Sequence, residues 1–486
     1  MKGVLYIIAC CLSVIANGQI SFYKQFSNNG YDFGEGITQT EDSSYLITGT
    51  SSSFGEGPAQ ALLLKIDSLG NFIWSRNYGG NESDGGKRVM YIEGDGILIA
   101  GFTNSFGNGA YDFYLTKTDT DGNQMWQKTY GTASWDKVND AALTRDSGVI
   151  MIGSTLNSVD GESDILIVRT DKDGNELWSQ QLGGVGEDLA MSIEQMDDST
   201  FAVGGKTYVE DSLQFKGLVF SIREDNTILW MDTIGPNGSY IIYDMSFNSV
   251  TNNLAMVGAV TFPNGEIGVI ENKCTKDGVL YYENYASPLS IQYNTGIAPI
   301  GTAGKFCVAN NFDNQYSYGM EDLLFNQCYD YIGYENSLAA INYTGNETLG
   351  QLVACSDFGV IAVGTSDKID NGGSTVFVIK LLENKPFFNV DDSLDIQSIV
   401  SIQTIDQETE ISIYPNPVHS MLKIELEDAT NIKAVIRDNT GRVVITHLLY
   451  VSNSIDVNHL RQGLYQLELL DDKNRQLGAK RFIVAH

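Results

Sequence analysis

The sequence predicts an all-β protein, a seven-bladed β-propeller followed by a small C-terminal β-sandwich. Three observations support this fold class. Aromatic residues recur every 52 positions through most of the chain, and short apolar runs that end in glycine recur at nearly the same step. Residues 410–486 instead show short alternating runs without that step. Apolar and alternating runs bounded by glycine turns are typical of β-strands.

The aromatic register is the main evidence for the propeller. Residues 65–74, 117–126 and 169–178 align around it without a gap. A unit of about 50 residues with four short strands is typical of a propeller blade. The repeated aromatics are interpreted as packing anchors between blades, with exposed platforms for sugars as the alternative. They are Phe22, Trp74, Trp126, Trp178, Trp230, Tyr282 and Tyr334.

The two ends of the repeat region predict how the ring closes. Residues 20–26 contain the aromatic strand of a unit without the three strands that should precede it. Residues 360–381 lack the aromatic strand that should follow them. Joining the two gives one composite blade beside six continuous ones, so the propeller is predicted to span residues 19–384, with the N-terminal strand outermost in the last blade. Closure removes free sheet edges, which promote aggregation.

The charge balance excludes several classes of partner. The formal net charge is −31, whereas nucleic acids and anionic membranes attract basic surfaces. No nucleic-acid partner is therefore predicted. The four histidines all lie in the C-terminal region, at His419, His447, His459 and His486. The propeller must therefore act without an imidazole base or a histidine metal ligand.

Residues 1–18 predict a secretory signal peptide. Lys2 precedes an apolar stretch over residues 4–16, and small residues precede a cut after Gly18. A membrane-spanning helix needs about 20 apolar residues, so no transmembrane segment is predicted. Lipid attachment at Cys10 is the alternative, but it would leave a much shorter apolar stretch before the cut.

Four cysteines remain after removal of the leader: Cys274, Cys307, Cys328 and Cys355. An exported chain permits disulfides. Cys307 and Cys328 lie in apolar runs that are predicted to be neighbouring strands, so they are the predicted pair. Four buried free thiols are the alternative. The cysteines have no CxxC spacing, and no metal site is predicted.

Aspartates stand ten residues after four of the repeated aromatics. They are predicted to lie in the loops that join one blade to the next, on the face where the central channel opens. Converging carboxylates there can bind a cation, a basic partner or sugar hydroxyls, and the alternative is turn and strand capping. Trp135 lies outside the aromatic register and is predicted to be an exposed contact residue. The four aspartates are Asp32, Asp84, Asp136 and Asp188.

The turns at residues 119–123 and 171–175 share the Asp-x-Asp-x-Asn spacing that begins a calcium loop. They lack its remaining ligands, so a tight hairpin is the preferred interpretation, calcium the alternative, and no other cofactor is predicted. Paired carboxylates can hydrolyse glycosides without histidine, but no acid stands out here. The prediction is a non-enzymatic module that binds a glycan or a protein. A carboxylate-dependent glycan hydrolase or lyase and an envelope scaffold are the alternatives.

The repeat over residues 20–384 resembles the bacterial seven-bladed-propeller repeat family. The resemblance rests on residues 78–80, Asp84, residues 101–105 and Asp112. The part from the turn to the tryptophan is similar to the tryptophan-docking repeats of quinoprotein propellers. The resemblance is strong in the first three blades and fades through blades four to six. It implies a fold and no single activity.

Residues 385–409 are polar and acidic and predict a linker, and residues 410–486 predict a small β-sandwich. The motif residues of the sandwich are Tyr414, Pro415, Asn416, Pro417, Gly441, Arg442, Gly463 and Tyr465. This region resembles the type A C-terminal sorting domain of type IX secretion substrates, with an ordinary accessory sandwich as the alternative. The resemblance implies recognition by the outer-membrane translocon and removal by a sortase-like protease that attaches the protein to surface glycolipid. The chain would then pass through the periplasm to the cell surface or the medium.

Overall fold

The structure, a computed structural model, describes part of the chain in detail. The described residues are 20–27, 30–53, 57–156, 162–235, 238–286, 295–299, 305–312, 322–329, 333–342, 346–367, 373–382, 388–391, 399–401, 412–414, 418–425, 432–438, 443–449, 454–470 and 476–485. The predicted leader and most of the predicted linker lie outside these ranges. Contacts divide the chain into two compact units, Met1–Ile402 and Gln403–His486. Within the described ranges, no helix has the length and apolar character needed to cross a membrane.

The first unit is a β-propeller, as the sequence predicts. After β1 (Ile20–Ser27), six sheets follow one another, each containing four consecutive antiparallel strands in chain order. The first three blades comprise β2 (Asp32–Gln39), β3 (Tyr45–Ser51), β4 (Gln60–Ile66), β5 (Phe72–Tyr78), β6 (Asp84–Ile92), β7 (Gly96–Thr103), β8 (Asp112–Thr118), β9 (Gln124–Tyr130), β10 (Asp136–Leu143), β11 (Val149–Thr155), β12 (Asp164–Thr170) and β13 (Glu176–Leu182). The next three comprise β14 (Leu189–Gln195), β15 (Thr200–Val209), β16 (Gln214–Arg223), β17 (Ile228–Ile234), β18 (Ser239–Asn248), β19 (Asn253–Thr261), β20 (Ile267–Thr275), β21 (Leu280–Ala286), β22 (Thr295–Pro299), β23 (Lys305–Phe312), β24 (Asp322–Tyr329) and β25 (Gly333–Asn342).

A further sheet combines strands from the two ends of the unit. β26 (Glu347–Ala354), β27 (Val360–Ser366) and β28 (Thr375–Leu381) pair in order, and β1 pairs antiparallel with β28. Phe26 lies opposite Val376 in this pairing. The innermost strands contact one another in sequence around the unit, from β2 through β6, β10, β14, β18, β22 and β26, and β26 in turn contacts β2. The two ends of the repeat region therefore meet in one sheet, as the incomplete units at these ends predict.

Two segments of the predicted linker are strands of the propeller unit. β29 (Phe388–Asp391) pairs in parallel with β25, and β30 (Ile399–Ser401) pairs in parallel with β1. Outer strands present unpaired backbone groups, and these two short extended segments pair with them. The pairing extends the propeller unit beyond residue 384, where the repeat pattern stops.

Burial decreases from the middle of a blade to its outer edge. Every position of β8 is buried, whereas only Tyr130 is buried in β9. The central strands are covered on both faces by neighbouring blades, which explains their continuous apolar runs. Leu98 and Leu115 of the second blade share one core with Val138 and Met151 of the third. Burial of apolar surface contributes about 25 cal/mol per Å², so these contacts between blades stabilise the ring.

Two of the repeated tryptophans also form hydrogen bonds to the next blade. Trp178 Nε1 donates to the carbonyl of Glu224 at 2.8 Å, and Trp230 Nε1 donates to the carbonyl of Lys276 at 3.0 Å. The ring of Tyr282 lies 4.9 Å from the ammonium of Lys273. The side chain of Tyr334 lies outside the described part of the chain.

The predicted disulfide is wrong. Cys307 is a buried free thiol, as are Cys274 and Cys355. β23 and β24 are neighbours, as expected, but Cys307 lies opposite Gln327 and Cys328 lies opposite Phe306. Because successive positions of a strand alternate between its faces, this register places the two positions on different faces of the sheet. The sequence identified the neighbouring strands and not their register.

The second unit contains two antiparallel sheets. One consists of β31 (Ser412–Tyr414), β32 (Met421–Glu425) and β35 (Ser454–Asp456). The other consists of β33 (Ile432–Asp438), β34 (Val443–Leu449), β36 (Gly463–Leu470) and β37 (Gln476–Val484). Leu422 and Ile424 of the first sheet share a core with Ala434, Ile436 and other residues of the second sheet.

Candidate functional site

The innermost strands begin at one face of the propeller, which we call the upper face, and run towards the lower face. Most of them contain a β-bulge about three residues after they begin. A bulge adds one residue and redirects the side chains beside it. The added residues are Glu35, Lys87, Asn139, Met191, Tyr243 and Gly350. All of them line the upper part of the central channel.

The residue after each of these six bulges, together with Gly296 at the equivalent position of β22, forms a second register at the middle of the channel, which we call the waist ring. It consists of Gly36, Arg88, Asp140, Ser192, Asp244, Gly296 and Gln351. The first six are again 52 residues apart. The same position of the blade therefore carries glycine, arginine, aspartate, serine or glutamine, depending on the repeat.

Side chains of the waist ring connect consecutive blades. Asp140 Oδ2 accepts a hydrogen bond from the backbone N–H of Ile193 at 3.0 Å. Asp244 Oδ2 accepts one from the N–H of Ile297 at 2.9 Å. In each case the donor belongs to the innermost strand of the following blade. The ring is therefore part of the contact between blades as well as the lining of the channel.

The carboxyl groups at the waist are buried, and burial raises their pKa values. The pKa of Asp244 rises to about 7, mainly through desolvation, although backbone N–H donors oppose the rise. Burial also raises the pKa of Glu194, just below the ring, to about 7. Burial raises the pKa of Asp140 as well, and the nearby Arg88 opposes that rise. Arg88 Nε lies 3.5 Å from Asp140 Oδ1. Near neutral pH Asp244 and Glu194 are therefore partly protonated.

Two cavities lie along the channel. The upper one has a volume of about 270 Å³ and is lined by Phe33, the bulge residues and all residues of the waist ring except Gly36. The lower one, of about 170 Å³, includes Glu194 and shares Asp140 and Asp244 with the first. Lys87 Nζ and Glu35 Oε2 form an ion pair 2.7 Å long in the upper cavity. The upper cavity is large enough for a small polar group and not for a folded partner.

The four predicted aspartates are buried where the loops between blades meet the innermost strands: Asp32, Asp84 and Asp136 begin β2, β6 and β10, and Asp188 directly precedes β14. Asp84 Oδ2 accepts hydrogen bonds from the Gly80 N–H at 2.8 Å and from Ser105 Oγ at 2.7 Å. Asp32 accepts from Ser53 Oγ of its own blade, Asp136 accepts from Thr132 Oγ1 in the loop that precedes it, and Asp188 accepts from the Gly184 N–H. Their exposure does not exceed 3%. This placement favours the capping alternative, and their role in ligand binding stays a prediction.

Trp135 is 53% exposed on the upper face. Its ring centroid lies 4.8 Å from that of Tyr111, in an edge-to-face arrangement at 62°. Tyr111 in turn contacts Phe102 at 5.7 Å and 68°. Tyr31, 56% exposed, precedes Asp32 as Trp135 precedes Asp136. The upper face therefore presents exposed aromatic residues at equivalent positions of two blades.

The two turns with the Asp-x-Asp-x-Asn spacing are closed by their own side chains. Asp119 Oδ1 accepts from the N–H groups of Asp121 and Asn123 at 2.9 and 2.8 Å. Asn123 Nδ2 donates to Asp119 Oδ2 at 2.8 Å. The turn at Asp171 repeats this arrangement. In the described part of the chain, no three His, Cys, Asp or Glu side chains converge as metal ligands.

Sequence reasoning missed the waist ring. Its signal was present, since extending the 52-residue step from Arg88 reaches Asp140, Ser192 and Asp244. The residues change chemistry at each step, so the register is invisible to a search for identical residues. The recurring glycine in the second strand of most blades was found from the sequence. The bulge in the strand opposite explains why glycine is needed at this position. A Cβ on Gly101 would lie 1.9 Å from the carbonyl oxygen of Gly85.

The motif residues of the second unit are only partly described. Tyr414 lies in β31, and Gly463 and Tyr465 lie in β36. The ring of Tyr465 stacks on Phe482 at 5.8 Å, and its hydroxyl donates to the Arg461 carbonyl at 2.8 Å. Pro415, Asn416, Pro417, Gly441 and Arg442 lie outside the described residues.

Comparison with known proteins identifies this second unit. Residues 412–485 match the family described as "Secretion system C-terminal sorting domain", which is the type IX sorting domain. The protein is therefore secreted through the type IX system to the cell surface or the extracellular space, and the type IX machinery is its partner in export. The match covers the C-terminal region alone. No curated protein sequence matches the chain.

Solved structures resemble the propeller only loosely. Sqt1 from Chaetomium thermophilum is 12% identical with a TM-score of 0.39, over 75% of this chain and 99% of that one. Polysaccharide lyase Uly1 is 8% identical with a TM-score of 0.43, over 75% and 99%. The tricorn protease is 10% identical with a TM-score of 0.41, over 71% of this chain and 34% of its own. These similarities are too distant to indicate a function.

Proposed function

We propose that the protein is a non-enzymatic recognition module that binds a glycan or a protein on the upper face of its propeller. The observation that carries the proposal is Trp135, which is 53% exposed and held in place by its contact with Tyr111. Exposed aromatic side chains with fixed orientation are frequent anchors of binding sites because they offer large contact area at low entropic cost.

The proposal includes a seven-bladed ring closed by the composite sheet. The antiparallel pairing of β1 with β28 supports it. The contact of β26 with both β22 and β2 supports it too. Gln351 Oε1 also accepts a hydrogen bond from the Ile37 N–H at 2.7 Å, across this junction. In the second unit, the two sheets with a shared core would form the β-sandwich that the translocon recognises, and a sortase-like protease would cleave before it.

A carboxylate-dependent glycan hydrolase or lyase is the second candidate. The raised pKa values of Asp244 and Glu194 favour it, since a general acid must be protonated near neutral pH. Against it, Asp244 accepts hydrogen bonds from the N–H groups of Ile297 and Met245 at 2.9 and 2.8 Å. These bonds fix the carboxyl group within the wall of the channel. We therefore favour a binding function.

The experiment is a binding screen of the chain without its leader, residues 19–486, on glycan and protein arrays, with and without calcium. Reducing-sugar release and unsaturated-sugar absorbance are followed for every glycan that binds. Binding without turnover is the expected result. Turnover that is lost in Asp244→Asn would establish the hydrolase or lyase instead. If the folded protein binds no probe on either array, the result would contradict the recognition function and favour an envelope scaffold.

A further inference from the structure

Three aromatic rings and one lysine form a continuous strip on the upper face. Trp135, Tyr111 and Phe102 are joined by edge-to-face contacts with centroids 4.8 and 5.7 Å apart. The ammonium of Lys137 lies 5.9 Å from the centroid of Phe102. We call these four residues the aromatic–lysine strip. Because Trp135 and Lys137 flank buried Asp136 at the start of β10, the strand itself fixes the spacing of the two ends.

Glycine makes room for the strip. Lys137 of the third blade corresponds to Gly85 of the second blade, which lies 52 residues earlier in the sequence. A Cβ at Gly85 would lie 2.5 Å from Cζ of Phe102. Phe102 therefore fills the space that a side chain would take, and its ring lies beneath the Lys137 ammonium. The arrangement depends on the sequence of two adjacent blades.

The charge at the inner end of the strip is positive within an acidic protein. Desolvation and the neighbouring Lys87 lower the pKa of Lys137, and Glu35 opposes this. Glu35 pairs with Lys87 at 2.7 Å. Among the described residues, no carboxylate forms an ion pair with Lys137. An anionic group placed there would meet a cation that no described carboxylate contacts as an ion pair.

This combination defines the ligand by its chemistry. Aromatic rings favour an apolar face of similar size, and the lysine favours an anion at one end. A pyranose ring that bears a carboxylate or a sulfate has both features. A neutral sugar would use the rings and leave Lys137 without a partner. The exposed ring of Trp135 and the cavity beside Lys87 leave both ends of the strip open, as a chain ligand requires.

We propose that the aromatic–lysine strip binds an acidic glycan, with a pyranose ring against Tyr111 and Trp135 and its anionic group at Lys137. The inference rests on the proposed recognition function and specifies its ligand class. Sulfate and carboxylate share the chemistry that the strip recognises, so the experiment must distinguish them.

The test is calorimetric titration of residues 19–486 with a polyuronate oligosaccharide, a sulfated oligosaccharide and a neutral oligosaccharide of equal length. Either acidic ligand should bind about tenfold or more tightly than the neutral one, and its affinity should fall with added salt. Lys137→Gln should remove this preference, because it should weaken binding of the acidic ligands about tenfold more than binding of the neutral sugar. Lys137→Arg should retain it.

Lys172→Gln is the matched control. It removes the same charge from a lysine that is exposed in a turn on the lower face and paired with Asp173. If both variants weaken acidic binding equally, the effect is general electrostatics and the strip is not the site. If the neutral sugar or an acidic peptide binds as tightly as the acidic sugars, the ligand class is wrong although recognition stands. If no array probe and no oligosaccharide binds, both proposals fail.

Discussion

The indole of Trp126 lies against Gly174, the left-handed residue in the turn of the next blade. A Cβ on Gly174 would come within 2.7 Å of Cη2 of the ring. Trp74 and Gly122 form the same pair, as do Trp230 and Gly278. Each aromatic precedes its glycine by 48 residues. The aromatic register and the turn glycines therefore repeat together because each blade docks on the next.

Gly174→Ala should destabilise the propeller through two effects. The residue has φ of 73°, where a Cβ costs about 1 kcal/mol. Contact with Trp126 should add about 1–3 kcal/mol of overpacking. Gly94→Ala is the control, since Gly94 has φ of 71° and nothing within 4 Å of a Cβ. Urea denaturation of the two variants measures the difference. Equal losses would show that the docking contact contributes nothing.

Gln351→Ala should weaken the junction between the composite sheet and the first blade. It removes the acceptor of the buried Ile37 N–H, 2.7 Å away, and an unsatisfied buried donor costs about 1–3 kcal/mol.

Gln39→Ala is the matched control at the same junction. Gln39 Oε1 accepts from the exposed Ser356 N–H at 2.8 Å, so water can replace it and the loss should stay below about 1 kcal/mol. Chemical denaturation of both variants provides the comparison. A larger loss in the Gln39 variant would contradict the assigned closure.

Stability should fall as the pH rises from about 5 to about 8. The folded pKa of Glu194 is raised from 4.5 to about 7. Its protonated form therefore stabilises the fold fully below the unfolded value, and that contribution is lost as the pH passes through the folded value. Asp244 acts in the same direction. The carboxyl of Asp42, whose pKa is lowered to about 2, acts only in more acidic solution.

Glu194→Gln isolates this effect. The amide oxygen can still accept from the Phe247 N–H, which lies 3.0 Å from Glu194 Oε1. Urea midpoints at the two pH values should differ less in the variant than in the wild type. An unchanged pH dependence in the variant would show that Glu194 does not titrate in this range.

Asp146→Ala should destabilise the third blade by about 2 kcal/mol, because it leaves a buried guanidinium poorly compensated. Arg169 is 2% exposed, and its Nη2 lies 2.6 Å from Asp146 Oδ1 and 3.9 Å from Glu224 Oε2.

Arg169→Met should cost less than about 1 kcal/mol, since an apolar side chain can fill the same space. In the double variant, Asp146→Ala should cause a smaller additional loss of stability than it causes alone. Thermal unfolding of the wild type, the two single variants and the double variant measures this difference. Full additivity would show that the two residues do not interact.

Much of the fold could be predicted because a blade repeats its strand lengths, so one step of 52 residues positions Trp74, Trp126 and Trp178 together. The strand register within the weaker sixth blade could not be predicted, and the expected bond between Cys307 and Cys328 failed for that reason. The burial of Asp84 could not be predicted either, because an aspartate in a turn and one in a binding site look alike in sequence.

The site was predicted in part. Trp135 was found because it departs from the aromatic register, and the structure places it on the upper face with 53% of its surface exposed. Lys137 and the waist ring were missed. Their arrangement depends on the β-bulges and on contacts between blades that are distant in sequence, as in the bond from Asp140 to Ile193.

The most direct test of the account compares ligand binding by Trp135→Ala and Phe358→Ala, using the probe that binds best in the array screen. Phe358 is 61% exposed in the turn between β26 and β27, on the lower face. If the upper face binds the ligand, Trp135→Ala should weaken binding about tenfold or more and Phe358→Ala should leave it unchanged, with both proteins folded. Loss of binding in Phe358→Ala, or wild-type binding by Trp135→Ala, would contradict recognition by the upper face.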